Sequence, residues 1–158
     1  MKTVLFYIQA LLLVMVFAAC DDKFETSDNG CLDGFWLLSE VDTLQNGKSE
    51  NVRQQMLFWA VQGDLLQLSV KKRYTGYTEG LPPTVCYHFN YSNNMLKFVC
   101  DEQSPVVGSR YLSDFFAEVP DVRPYGLSRL DEQFSVLAIN GNKMILQSET
   151  LRLHFDKY

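Results

Sequence analysis

The chain reads as all-β: a single antiparallel up-and-down barrel of about eight strands, preceded by an N-terminal signal peptide. Three observations predict this. Aromatic residues make up 13% of the 158 residues, and they fall in short segments of alternating polarity, the pattern of half-buried strands. Tight-turn signals such as Gly63-Asp64 and Asn140-Gly141 separate these segments. No amphipathic stretch of about 10 to 15 residues, the length of a crossover helix, lies between them. Sequential antiparallel strands with no helical cover must close or pair as a sandwich to hide their edges, and closure is the simpler answer.

Residues 1–19 justify the signal peptide. Lys2 and Thr3 precede an apolar run from Val4 to Phe17, interrupted only by Gln9, and Ala18-Ala19-Cys20 comes next. A basic start, an apolar middle and small residues before the cut mark a secretory signal, and the run is shorter than the about 20 apolar residues a membrane span needs. The cysteine after two alanines resembles the lipobox of bacterial lipoproteins, in which the thiol is acylated and the chain is cut before it. That resemblance implies that Cys20 is the lipid-attachment residue and that acyl chains there hold the protein to a membrane. It places the protein in the cell envelope, with the outer membrane as the expected site.

Residues 20–30 are polar and acidic and read as a flexible tether. Residues 31–158 are then one domain. The signal carries one lysine and no acid, so residues 20–158 are one unit more acidic than the whole chain's −5. That charge excludes a broad electrostatic contact with nucleic acid.

The first strand runs from about Phe35 to Val41, and Leu44 to Val52 reads as a connection around Asn46-Gly47. Gln55 to Gln62 and Leu65 to Val70 form a hairpin, with Leu66, Leu68 and Val70 on one face. Lys71-Lys72-Arg73 closes it as a solvated rim, and Tyr74 to Pro83 is a loop. Thr84 to Tyr91 and Met95 to Cys100 are the next two strands. A two-residue turn at Asn93-Asn94 pairs Tyr91 with Leu96, Phe89 with Phe98 and Tyr87 with Cys100, which unites two apolar faces. It also sends Cys86 and Cys100 to opposite faces, so they do not form a disulfide.

The stretch from Asp101 to Gln133 is the least regular, and a loop of this length acts as a lid or a packed cover. Arg110 to Glu118 fits a short strand or one helical element, and Ser128 to Glu132 a brief helix capped by Ser128. Gln133 to Ile139, Lys143 to Ser148 and the segment from Thr150 to the end complete a three-strand meander. In its last strand Leu151, Leu153 and Phe155 alternate with Arg152, His154 and Asp156, which buries one face and wets the other.

Gly34-Phe35-Trp36 at the start of the first strand, with a basic residue available on the last at Arg152 or Lys157, resembles the lipocalin and wider calycin pattern. The resemblance implies that Gly34 and Trp36 close one end of the barrel under a cation from the final strand, Arg152 or Lys157, held by attraction to the indole face. LDGFWLLSEVDT, FWAVQGDLLQ, RPYGLSRLDEQF and NKMILQSETLRLHF are also similar to the lipocalin-like lipoproteins of Gram-negative gut-type bacteria, over most of residues 31–158.

An eight-stranded barrel is either filled by its own side chains or holds one small ligand. Trp59, Tyr87, Phe89, Tyr91, Phe98 and Phe134 are the large residues that would line the interior. The expected function is the binding of a small, partly apolar molecule by a monomer. The alternative is a filled barrel that presents its loops, chiefly 101–132, to a protein or glycan partner.

No catalytic set, metal site or cofactor motif is visible. The two histidines, His88 and His154, sit on polar strand faces with no metal-ligand spacing around them, and nucleophile elbows and phosphate-binding loops are missing. The protein is therefore read as no enzyme. Cys31, Cys86 and Cys100 are an odd set once Cys20 is lipidated. Either Cys31 bridges one of the other two, or all three are small, apolar free thiols.

Overall fold

The computed structural model describes residues 27–71, 82–101, 104–107 and 115–158. The signal peptide, Cys20 and most of the tether, together with Lys72, Arg73, much of the 74–83 loop and Arg110 to Asp114, lie outside the described residues.

Eight strands succeed one another round a closed barrel: β1 (Gly34–Thr43), β3 (Leu57–Gln62), β4 (Leu65–Val70), β5 (Val85–Ser92), β6 (Met95–Phe98), β9 (Gln133–Ile139), β10 (Lys143–Gln147) and β11 (Leu151–Lys157). Each pairs antiparallel with the next, and β11 returns to β1 through pairs such as Trp36 with Lys157 and Thr43 with Leu151. These are the eight segments the sequence pattern picks out, with ends moved by a few residues.

The β5–β6 register is set by the Asn93-Asn94 turn. Both asparagines take positive φ, 51° and 57°, as a tight hairpin turn demands. Phe89 pairs with Phe98 and Tyr91 with Leu96. The expected pairing of Tyr87 with Cys100 does not form. β6 ends at Phe98, and the Val99 N–H, bonding the His88 carbonyl at 2.9 Å, is the last rung.

Among the described residues three short strands add to the eight. β2 (Lys48–Asn51) folds back on the second half of β1, in place of the plain connection expected there; its four side chains are all exposed, so it carries no burial pattern to read. β7 (Val106–Val107) pairs with β5, and β8 (Phe115–Phe116) with β7. The expected helix at Ser128 to Glu132 is a turn instead. The Glu132 carboxylate reaches back to accept the N–H groups of Ser128 and Arg129 at 2.7 and 3.0 Å, which satisfies the turn without a helix. The one helical piece described in this region is Val119–Val122, running on into a 3₁₀ turn at Arg123–Tyr125.

Alternation along the strands sends Trp36, Trp59, Tyr87, Phe98, Phe134, Met144, Leu153 and Phe155 into one buried core. Phe58 is also fully buried, but on the outer wall. It stacks on Phe35 at 4.5 Å, and Tyr158 sits edge-on to both rings. The Lys71 ammonium, on an exposed residue, lies 4.2 Å above Phe35, a cation on aromatic faces. A basic residue read as solvated rim is therefore engaged with rings.

Candidate functional site

One end of the barrel is closed by the residues that lead into β1. Trp36 is wholly buried, and its indole N–H donates to the Leu32 carbonyl at 2.8 Å, which fixes the 3₁₀ turn Gly30–Leu32 across that end. The Lys157 ammonium lies 4.2 Å from the Trp36 ring centroid and donates to the Asp33 carbonyl at 2.5 Å. Gly34 has φ +137°, a backbone conformation that favours glycine, and a Cβ there would meet the Lys157 ammonium where it lies over Trp36. The cation of this closure is Lys157 and not Arg152. Arg152 sits near the other end of β11 on the outer wall, where its guanidinium holds the Gln147 side-chain oxygen at 2.8 and 3.0 Å. Just outside this end, Asn29 donates to the Gly63 carbonyl at 2.5 Å.

The interior is packed with rings. Trp59 lies 5.7 Å from Phe98, 5.8 Å from Phe134 and 4.9 Å from Phe155, and Tyr87 lies 4.9 Å from Phe98. These are direct aromatic contact distances. Of the six residues expected to line a cup, Trp59, Tyr87, Phe89, Phe98 and Phe134 are buried, and Tyr91 is half-buried against the same core.

The far end receives the irregular segment. Ala117, Val122, Tyr125 and Leu127 are buried in the core that the strands enclose. The Tyr125 carbonyl accepts the Trp59 indole N–H at 3.1 Å, and its hydroxyl donates to the Pro83 carbonyl at 2.8 Å. Gly126, at φ +90°, packs against Leu153. Pro83 precedes β5, and Leu153 pairs with Val41, both toward the end opposite Trp36. Residues 117–127 therefore plug that mouth. Burial raises the Tyr125 phenol above its ordinary pKa.

Beneath this packing the Tyr87 hydroxyl is sealed from solvent with no hydrogen-bond partner among the described residues. Burial first, and then the nearby Cys100, Asp121, Asp131 and Glu132, push its pKa well above the usual phenol. It stays a neutral donor with no acceptor among the described residues.

A barrel closed by Trp36 under a lysine, with one core within, agrees with the comparison of the sequence with known families: the model of the lipocalin-like domain matches residues 14–158. The chain belongs to the lipocalin-like domain family. Its fold is similar to the crystal structure of a lipocalin-like protein from Bacteroides uniformis, with a TM-score of 0.56 and 18% identity over 82% of this chain and 100% of that one. It is similar also to that of an uncharacterized protein from Bacteroides eggerthii, with a TM-score of 0.55 and 14% identity over 80% and 98% of the two chains. No curated protein matches the sequence.

On the outside of this lipocalin-like barrel each histidine has a carboxylate beside it that strand reading missed. The His154 Nε2 lies 2.8 Å from Asp42 and the His88 Nδ1 lies 3.2 Å from Asp64. The first pair comes from adjacent strands and the second from a strand and a neighbouring turn, so sequence spacing gives no hint of either. Hydrogen bonds from Ser49 and then His154 hold the Asp42 carboxyl below its usual pKa. No cluster of three metal-ligating side chains occurs among the described residues. No disulfide forms among them either, and Cys31 and Cys100 are exposed and not packed as small apolar residues.

The outer wall also carries a groove of about 330 Å³. Met95, Ser135 and Gln147, side by side on β6, β9 and β10, form its floor. The 128–132 turn and the Ser148-Glu149 corner form its sides. Sequence reading gave no sign of it, because it joins outward residues of three strands to two turns far apart in the chain.

Proposed function

We propose that this protein is a lipid-anchored binding module of the bacterial envelope, whose filled lipocalin-like barrel is a scaffold presenting its outer wall and rim to a protein or glycan partner. The packing of Trp59, Tyr87, Phe98 and Phe134 on one another carries this reading. With Tyr125 seated over Trp59, rings in mutual contact stand in the interior a small ligand would enter, which supports self-filling, one of the two states open to an eight-stranded barrel. The module is read as a monomeric binder and not an enzyme. It is tethered through acyl chains on Cys20, with the outer membrane as its site.

A second reading has one observation in its favour. The orphaned Tyr87 hydroxyl is the polar handle a small, partly apolar ligand would use if the 117–127 plug withdrew, since buried polar groups are rarely left unpaired.

Native mass spectrometry of protein purified from its own host separates the two. The scaffold reading expects the mass of the acylated chain alone; a retained molecule of a few hundred daltons, released on denaturation, would transfer the conclusion to the cup. For the anchor, Cys20→Ser is expected to move the protein from the membrane to the soluble fraction, and a variant that stayed with the membrane would rule out lipidation.

A further inference from the structure

We infer that the outer-wall groove between the 128–132 turn and the Ser148-Glu149 corner is a saccharide site, one that takes a neutral mono- or disaccharide unit through its hydroxyl groups. The inference rests on the reading that binding occurs outside the barrel, and adds its place and chemistry.

The groove is built around a buried acid. Glu132 is 3% exposed, and its Oε2 accepts two backbone N–H groups. Its Oε1 accepts no hydrogen bond from the described residues. A carboxylate accepts at both oxygens. One oxygen is thus fixed by the turn and the other is left to the groove that Glu132 lines.

Donors face this acceptor across the groove. Arg152 occupies the side-chain oxygen of Gln147 twice, which fixes the amide; its NH2 group has no partner among the described residues and can donate. The Ser148 hydroxyl oxygen accepts the Thr150 and Leu151 N–H groups at 3.4 and 3.2 Å, so its own proton points elsewhere. The Arg129 guanidinium lines the same space, with an exposed Asp131 contact at 3.7 Å.

A hydroxyl both donates and accepts, so a sugar ring needs interleaved donors and acceptors, and the groove supplies them. Other ligand classes fit less well. Arg129 stands against Glu132 and Glu149, so no single sign of charge favours an anion or a polycation. The strands beneath are paired on both sides, which leaves no edge for an added peptide strand, and Met95 is the one apolar side chain in the lining, so a protein anchor residue finds no pocket. The volume lies at the small end of the about 300 to 1,000 Å³ of small-molecule sites.

The test is a titration of the isotope-labelled protein with glucose, galactose, mannose, N-acetylglucosamine, maltose and lactose, tracking backbone amide shifts. At least one sugar is expected to shift the Ser148 and Glu149 amides saturably, with a Kd of about 1 mM or below. Gln147→Ala and Arg129→Ala are each expected to weaken it about tenfold, the effect of a lost directed hydrogen bond. Glu132→Gln keeps the turn's acceptor and replaces the free one with a donor, so it should weaken binding with the melting temperature held; Lys48→Ala, on the distant β2, should change nothing. The inference is overturned if no sugar shifts these amides up to about 50 mM, where a millimolar complex would be nearly saturated, if the groove variants bind as wild type, or if a peptide binds there instead. A bare native mass in the host-purified protein, together with a failed titration, would leave the scaffold reading standing and remove the groove alone.

Discussion

The Lys157 ammonium stands 4.2 Å over the Trp36 ring and hydrogen-bonds the Asp33 carbonyl, so the last strand is fastened to the residues that open the first. This joins the two ends of the domain at one point. Trp36→Ala removes a fully buried indole and its bond to Leu32, and is expected to cost about 3 to 5 kcal/mol, as large-to-small core changes do. Lys157→Met keeps the stem and loses the charge, and should cost about 1 kcal/mol. Chemical denaturation of the two variants checks both, and an unchanged midpoint for Trp36→Ala would remove the closure.

Where alternation faced water on one side and the core on the other, the fold was legible. Leu151, Leu153 and Phe155 against Arg152, His154 and Asp156 gave β11, and the asparagine pair gave the β5–β6 register. Legibility failed where burial left no period. β2 is exposed throughout, and in the 117–127 plug, Val122, Tyr125 and Leu127 are buried by a single turn whose spacing matches neither strand nor long helix. The candidate site was legible only in part. Gly34 and Trp36 stood out through their resemblance to the lipocalin pattern at the start of a first strand, while the choice between Arg152 and Lys157 needed the β1–β11 register. The groove and the two histidine–carboxylate pairs join residues from separate strands and turns, and no local pattern encodes them.

Asp156 predicts an acid-labile barrel. Its carboxylate pairs with Lys143 across the β10–β11 ladder and with Arg53 from the 3₁₀ turn before β3. Burial alone would raise its pKa, but hydrogen bonds from Lys143 and Arg53 outweigh burial and hold it below the usual aspartate value. A depressed folded pKa stabilises above the unfolded value of about 3.9 and loses that stabilisation as pH falls through the folded value. Asp42 adds the same sign. The melting temperature should therefore hold above about pH 5 and drop below about pH 4. Asp156→Asn should cost about 1 kcal/mol at neutral pH and flatten the acid limb. An equally steep limb in the variant would place the acid sensitivity elsewhere.

Gly126 is the hinge on which the plug turns into the mouth. Its φ is +90°, and a Cβ would meet the Leu153 Cδ2 at 2.7 Å, so a side chain there carries both backbone strain and a core clash. Gly126→Ala is expected to cost about 1 to 3 kcal/mol, and the loss should be local. Hydrogen exchange would quicken at the Leu127 amide and its neighbours before the β1–β11 ladder opens. Uniform loss of protection across the barrel would mean that the plug and the strands unfold as one unit.

Tyr87→Phe tests the one buried hydroxyl left without a partner among the described residues. Its oxygen is cut off from solvent in the same core as Phe98, so the folded protein bears a desolvation cost with no hydrogen bond in return, an arrangement that costs about 1 to 3 kcal/mol. Removing the hydroxyl keeps the ring and its contacts, and should raise stability by about 1 kcal/mol, a gain of several degrees for a domain of this size. A loss of stability would show that the hydroxyl has a partner in solution, such as a trapped water or a small molecule in the barrel. Repeating the melt on protein unfolded and refolded in clean buffer separates these two: a water returns on refolding and the loss persists, whereas a host-derived molecule does not, and the gain then appears.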